Sequence, residues 1–133
     1  MENIRFPTLA EIVALHTILI DEFGGAQGTK DIGLVDSALM GAQQTFGGQF
    51  LYSTLSDMAA AIWHGLACNH GFADGNKRVA LAGVDLFLQY NGLQLALSEA
   101  DAEAVTLRIA SSELNRDELC RLIPSWIEPR KVS

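Results

Sequence analysis

The sequence predicts an all-α protein, a single domain of about six helices spanning residues 1–133. Apolar residues recur at helical spacing in four long segments. Side chains suited to N-caps stand ahead of several helices, and Gly-Gly or Asn-Gly steps close three of them. No repeat, low-complexity stretch or linker divides the chain.

Thr8 followed by Glu11 has the pattern of a capping box, and Leu9, Ile12, Leu15, Leu19 and Phe23 then recur at helical spacing until Gly24-Gly25. A glycine-rich connection over 24–33 leads to a second helical pattern from about Leu34 to Phe46, ended by Gly47-Gly48. The third runs from about Thr54 to Cys68 and is apolar almost all round, which predicts a central position. The fourth, Asn76 to Tyr90, is rich in Ala and Leu and closes at Asn91-Gly92. Leu93 to Leu97 alternates weakly, as an extended segment would. Ser98 with Asp101 and Asn115 with Glu118 each open a further helix, and Pro124 is expected to end or kink the last one near Ile123.

A chain of 133 residues is long enough for one core that buries roughly two thirds of the unfolded surface. Nearly half of it is apolar, yet no run approaches the ~18–20 residues of a membrane helix, and Met1 to Pro7 lacks a basic region before an apolar run. A soluble, unexported, cytoplasmic protein without a membrane partner is expected. Cys68 and Cys120 lack the spacing of a zinc site or a redox pair, which predicts buried free thiols. With 16 acidic against 9 basic side chains the net charge is −7, a field that repels a polyphosphate backbone, so nucleic acid is not an expected partner. A phosphate would have to be held by a local cluster of donors.

Residues 69–78 supply one, reading Asn-His-Gly-Phe-Ala-Asp-Gly-Asn-Lys-Arg at the start of the fourth helix. The first turn of a helix has unpaired N–H groups and a partial positive charge, so the amides from about Gly75 to Arg78 can cradle an anion. Gly75 lets the backbone approach closely. Lys77 is a compact positive charge, Arg78 a planar fork suited to two oxygens, and Asn76 a neutral donor and acceptor. Asp74 suits Mg²⁺, which usually takes one or two protein carboxylates and fills its other positions with phosphate oxygens and water. His70 suits the acceptance of a hydroxyl proton, since an imidazole ordinarily titrates at ~6.5, close to neutrality. Phe72, alternating with these polar groups, is expected to pin the loop to the core. Singly, each could be a cap or a surface group; together they point to phosphate handling.

The segment resembles the signature loop of the Fic/Doc superfamily, H-x-F-x-D/N-G/A-N-G/K-R, onto which His70, Phe72, Asp74, Gly75, Asn76, Lys77 and Arg78 fall in order. The resemblance extends more loosely to Leu15-His16 and Phe23-Gly24-Gly25 of the first helix, as in death-on-curing (Doc) toxins, and a chain without appended domains is the size expected of that branch. It implies a compact helical fold and a toxin that transfers the terminal phosphate of ATP to a Ser or Thr hydroxyl of elongation factor Tu. It also implies a small antitoxin whose C-terminal helical segment occupies an apolar groove. In that scheme His70 is the general base, Asp74 holds Mg²⁺, and Asn76, Lys77 and Arg78 bind phosphate oxygens.

The adenylylating Fic branch usually has Gly at Lys77 and a second Arg at Leu81, and both departures favour Doc. AMP transfer to a protein hydroxyl, or a non-catalytic binding module that has kept the loop, are the alternatives. Gly71 stands where many members have Pro or a larger apolar residue and is expected to loosen the loop. His16, His64, Trp63 and Trp126 sit in helical patterns and are expected to be structural. The glycines at 24, 25 and 28 fit a turn and neither a P-loop nor a dinucleotide fingerprint.

Overall fold

The structure, a computed structural model, describes residues 3–131. Among these residues six α-helices carry the fold: α1 (Leu9–Phe23), α2 (Ile32–Gly41), α3 (Leu55–Asn69), α4 (Asn76–Tyr90), α5 (Glu99–Ala110) and α6 (Arg116–Leu122). Short strands β1 (Thr45–Phe46) and β2 (Gln49–Phe50) lie between α2 and α3, while β3 (Leu93–Leu95) and β4 (Ile127–Pro129) bracket the last two helices. The all-α expectation holds. No helix among the described residues is long and apolar enough to cross a membrane.

Local chemistry explains most boundaries. Thr8 and Glu11 form the expected capping box on α1, and Asn115 with Glu118 forms another on α6. Asp31, Thr54 and Ser98 cap α2, α3 and α5 through their side-chain oxygens. The helix α4 has Gly75 at its N-cap and no side-chain hydrogen bond there.

The expected second helix needs correction: it begins earlier, at Ile32, and ends at Gly41, well short of Phe46. The side chain of Asp31 accepts from Gly33 N and starts the helix ahead of Leu34. Gly47 and Gly48 do not end a helix; both have positive φ (59° and 81°) and make the two-residue turn of an antiparallel hairpin pairing Phe46 with Gln49. Such a left-handed pair is the type I′ geometry, whose twist matches that of the flanking strands. Leu93–Leu95 is extended as expected, but its partner β4 was not foreseen, and Pro124 lies within a 3-10 turn (Ile123–Trp126) that continues α6.

Helix α3 is the axis of the core, as its apolar sequence predicted: Met58, Ile62 and Trp63 have no exposed surface. Burial of side chains this large contributes about 1.5–3 kcal/mol each. Trp63 also donates its indole N–H to Thr106 Oγ1 on α5 at 2.9 Å, satisfying the one polar atom it takes inside, and meets Trp126 edge-on. Cys68 and Cys120 are free thiols, and both are only partly buried. Val79, Val84 and Phe87 of α4 pack into the same core. The loop joining α3 to α4 is therefore suspended between two well-anchored helices.

Candidate active site

Helix α3 ends at Asn69, and His70 takes a left-handed conformation (φ 52°, ψ 46°) with its side chain exposed. For a residue with a Cβ that conformation costs about 1 kcal/mol, a strain retained where the neighbouring structure imposes it. The neighbour is Gly71. It is buried, its carbonyl accepts from both Lys30 N and Asp31 N at 2.9 Å, and a Cβ built on it would lie 2.4 Å from Val35 Cγ2. Gly71 does not loosen the loop as expected; the missing side chain lets the loop clamp onto the start of α2.

Phe72 is 2% exposed and stacks on the ring of His16 with centroids 3.9 Å apart. The side chain of Asn76 braces the turn from the other end, its Oδ1 accepting from Phe72 N and its Nδ2 donating to Phe72 O, both at 3.1 Å. Ala73 N donates to Gly28 O, and Thr29 bridges Phe72, so the glycine-rich connection runs antiparallel along the loop.

His16 reaches up from α1 and its Nε2 lies 2.7 Å from the carbonyl oxygen of Asp74. A carbonyl only accepts, so the Nε2 proton is fixed on His16. His16 is a structural residue as expected, but what it supports is the candidate site itself. The signal was legible: Ile12, His16 and Ile20 recur at four-residue spacing on one face, and all three are buried.

Beyond this brace the chain offers an anion cradle. Gly75 has φ 77°, and a Cβ there would stand 3.0 Å from Ile20 Cδ1, so both conformation and space favour glycine. The N–H groups of Asn76, Lys77 and Arg78 open α4 without an intrahelical acceptor. The Lys77 and Arg78 side chains are exposed, and neither has an ion-pair partner among the described residues. The Arg78 guanidinium lies over the Phe23 ring, 4.6 Å from its centroid.

Asp74 is held beside the cradle, Oδ1 accepting from Gly75 N at 2.8 Å and Oδ2 from Ala26 N at 3.3 Å. Gly25 passes so close that a Cβ would meet Oδ2 at 2.7 Å, so the glycine-rich turn orients this carboxylate. Each oxygen keeps a lone pair for a cation. Among the described residues no three His, Cys, Asp or Glu side chains converge. The Asp74 carboxylate, with both oxygens still able to accept, has the donor chemistry suited to a Mg²⁺ that takes its other oxygens from a phosphate and water.

Residues 6–88, which take in α1, the clamp on α2, the loop and nearly all of α4, match the Fic/DOC family. The chain belongs to the Fic/DOC family. Within that family it is 40% identical over 99 residues to a protein named Toxin Doc from Mycolicibacterium smegmatis, covering 73% of this chain and 76% of the relative. It is 33% identical over 105 residues to Protein kinase doc from Escherichia phage P1, covering 79% and 82%. These likenesses place it on the Doc side of the Fic/DOC family.

Next to the cradle, a cleft of about 380 Å³ lies between α1, α4 and α5, lined by Leu19, Phe23, Arg78, Leu81, Asp85 and Leu107 among others. Asp85 sits two helical turns beyond Arg78 on the same face of α4. Removal from water pushes its carboxyl up to about 6. It has no ion-pair partner among the described residues. Asp85 carries no signal in the sequence, because a single Asp in an apolar helix gives no hint of what its face borders.

Proposed function

We propose that this Fic/DOC protein is the toxin of a type II toxin–antitoxin pair. In this reading it is a protein kinase that moves the terminal phosphate of ATP to a Ser or Thr hydroxyl of elongation factor Tu and so inhibits translation. The observation that carries the reading is the start of α4. Five helices close their N-termini with a side-chain cap, while α4 opens on glycine, with Lys77 and Arg78 free beside it. The names of the two relatives, a toxin and a protein kinase, support the same reading.

His70 takes the proton from the attacking hydroxyl as its oxygen bonds to the terminal phosphorus. The bond from that phosphorus to the bridging oxygen breaks, and ADP leaves with the electron pair. The amides of 76–78, Lys77 and Arg78 hold the phosphate oxygens as charge redistributes among them, and Asn76 keeps the turn in shape through Phe72. Mg²⁺, held by Asp74, would neutralise phosphate charge when bound. Most of the rate would come from positioning, which suits a loop braced by His16, Gly71 and Phe72.

The cleft between α1, α4 and α5 suits the helical C-terminal segment of the antitoxin. Leu19, Phe23, Leu81 and Leu107 give it an apolar floor, Asp85, Glu99 and Glu103 add carboxylates, and Lys77 and Arg78 stand on its wall, so an occupant would also cover the phosphate cradle. Asp85 offers that segment a place for a basic side chain. ATP and a translation factor as substrates put the activity in the cytoplasm.

Intact-mass analysis of elongation factor Tu after incubation with the protein, ATP and Mg²⁺ tests the assignment. A gain of one phosphate, absent with His70→Ala, is the expected result. A gain of AMP would move the activity to the adenylylating side of the family, and an unmodified factor would remove it as the substrate.

A further inference from the structure

Away from the cradle, a second cavity of about 230 Å³ lies between α2, α3 and α6, with Ser37, Gln44, Asn69 and Arg116 on its walls and Gly41 and Gly65 opening the space. Arg116 is partly buried, and its Nη1 donates to the Tyr52 hydroxyl at 2.7 Å. Its Nε is buried with no hydrogen-bond partner. Among the described residues no carboxylate lies within ion-pairing reach of it, in a chain with 16 acidic side chains to choose from. The Tyr52 ring stands 5.9 Å from the guanidinium carbon, a weak partner for a positive charge that meets no carboxylate among the described residues. The effect reaches His64, whose Nδ1 is also buried without a partner and whose imidazole is pushed down first by burial and then by the charge of Arg116.

The four polar side chains on the cavity walls are a hydroxyl, two amides and a guanidinium, all able to donate to oxygen, and unlike the cleft beside α4, which holds Asp85, Glu99 and Glu103, the cavity is lined by no carboxylate. The space is too small for a nucleotide and suits a group the size of a carboxylate or a phosphate. We infer that this cavity is a binding site for a small oxyanion, gripped by the Arg116 guanidinium and by the donors of Ser37, Gln44 and Asn69. Asn69 joins it to the candidate active site, since it ends α3 immediately before His70 and its Nδ2 donates to Leu34 O at 3.1 Å. The inference does not depend on the phosphotransfer reading.

Nuclear magnetic resonance on the full chain tests it, following the Arg116 Nε–H signal and the side-chain amides of Gln44 and Asn69. Sodium acetate is titrated in one series and inorganic phosphate in another, with chloride keeping the ionic strength constant. A saturable shift with a dissociation constant on the order of 1–10 mM is expected, the scale of one forked charge-assisted contact. The two series show whether carboxylate or phosphate is preferred. The response should persist in Arg78→Ala, which weakens the loop cradle, and vanish in Arg116→Met, whose backbone spectrum reports whether it remains folded. Shifts confined to residues 75–78 and lost in Arg78→Ala would overturn the inference. So would an Arg116 signal that fails to saturate, a fully folded Arg116→Met that still responds, or an equal response to chloride.

Discussion

Replacing Asp85 by Asn should stabilise the protein at neutral pH, by an amount that can be worked out. Desolvation in the cleft raises its carboxyl from the ordinary 3.8 to about 6. Roughly two units correspond to about 3 kcal/mol against the charged form. The side chain keeps part of its surface in water, so screening reduces this to about 1–2 kcal/mol. A raised carboxyl favours the folded state only while it is protonated. Below its unfolded value of 3.8 there is no penalty, and as pH rises through about 6 the penalty becomes complete. Asn has nearly the same shape and no charge to desolvate. Urea unfolding of the two proteins should therefore show Asp85→Asn more stable by about 1–2 kcal/mol near pH 7.5, the gap closing as pH approaches about 4. A variant no more stable near neutrality, or a gain that does not change with pH, would refute the reasoning. A side chain retained at such a cost is what a groove built to receive a partner would hold.

Two other substitutions probe the loop. His16→Ala removes a buried donor to Asp74 O and the ring beneath Phe72. A loss of about 2–4 kcal/mol in denaturant unfolding is expected, with phosphotransfer falling further than stability explains. His16→Gln, which can still donate to Asp74 O, should recover part of both. Gly71→Ala places a Cβ 2.4 Å from Val35 Cγ2, and overpacking of that kind costs about 1–3 kcal/mol. Unfolding of the double variant Gly71→Ala with Val35→Ala should show partial relief only, because Val35 N and Asp31 O remain within 3.1 Å.

The helices were legible where one signal dominated. A capping box fixed the start of α1, an unbroken apolar run placed α3 in the core, and Asn91-Gly92 closed α4. The hairpin after α2 was missed because Gly47-Gly48 serves equally as a helix stop and as a left-handed turn; the choice depends on which strands flank it. Strand β4 was hidden because its partner β3 lies far back in the sequence. At the candidate site, His70, Phe72 and 74–78 could be read as one contiguous segment. Its supports come from elsewhere: His16 from α1, Gly25 and Ala26 from the connection, and Val35 from α2. Gly71 was misjudged because a glycine in sequence signals freedom, whereas here its missing Cβ is the space that Val35 fills.

The most direct test of phosphotransfer uses ATP labelled separately at its terminal and its innermost phosphate, incubated with the protein, Mg²⁺ and cell extract as a source of substrates. Terminal label should pass to a protein above the extract background with the natural chain and not with His70→Ala, while innermost label should not pass at all. Transfer of the innermost label, transfer that survives His70→Ala, or no transfer of either would contradict the role assigned to the loop from His70 to Arg78.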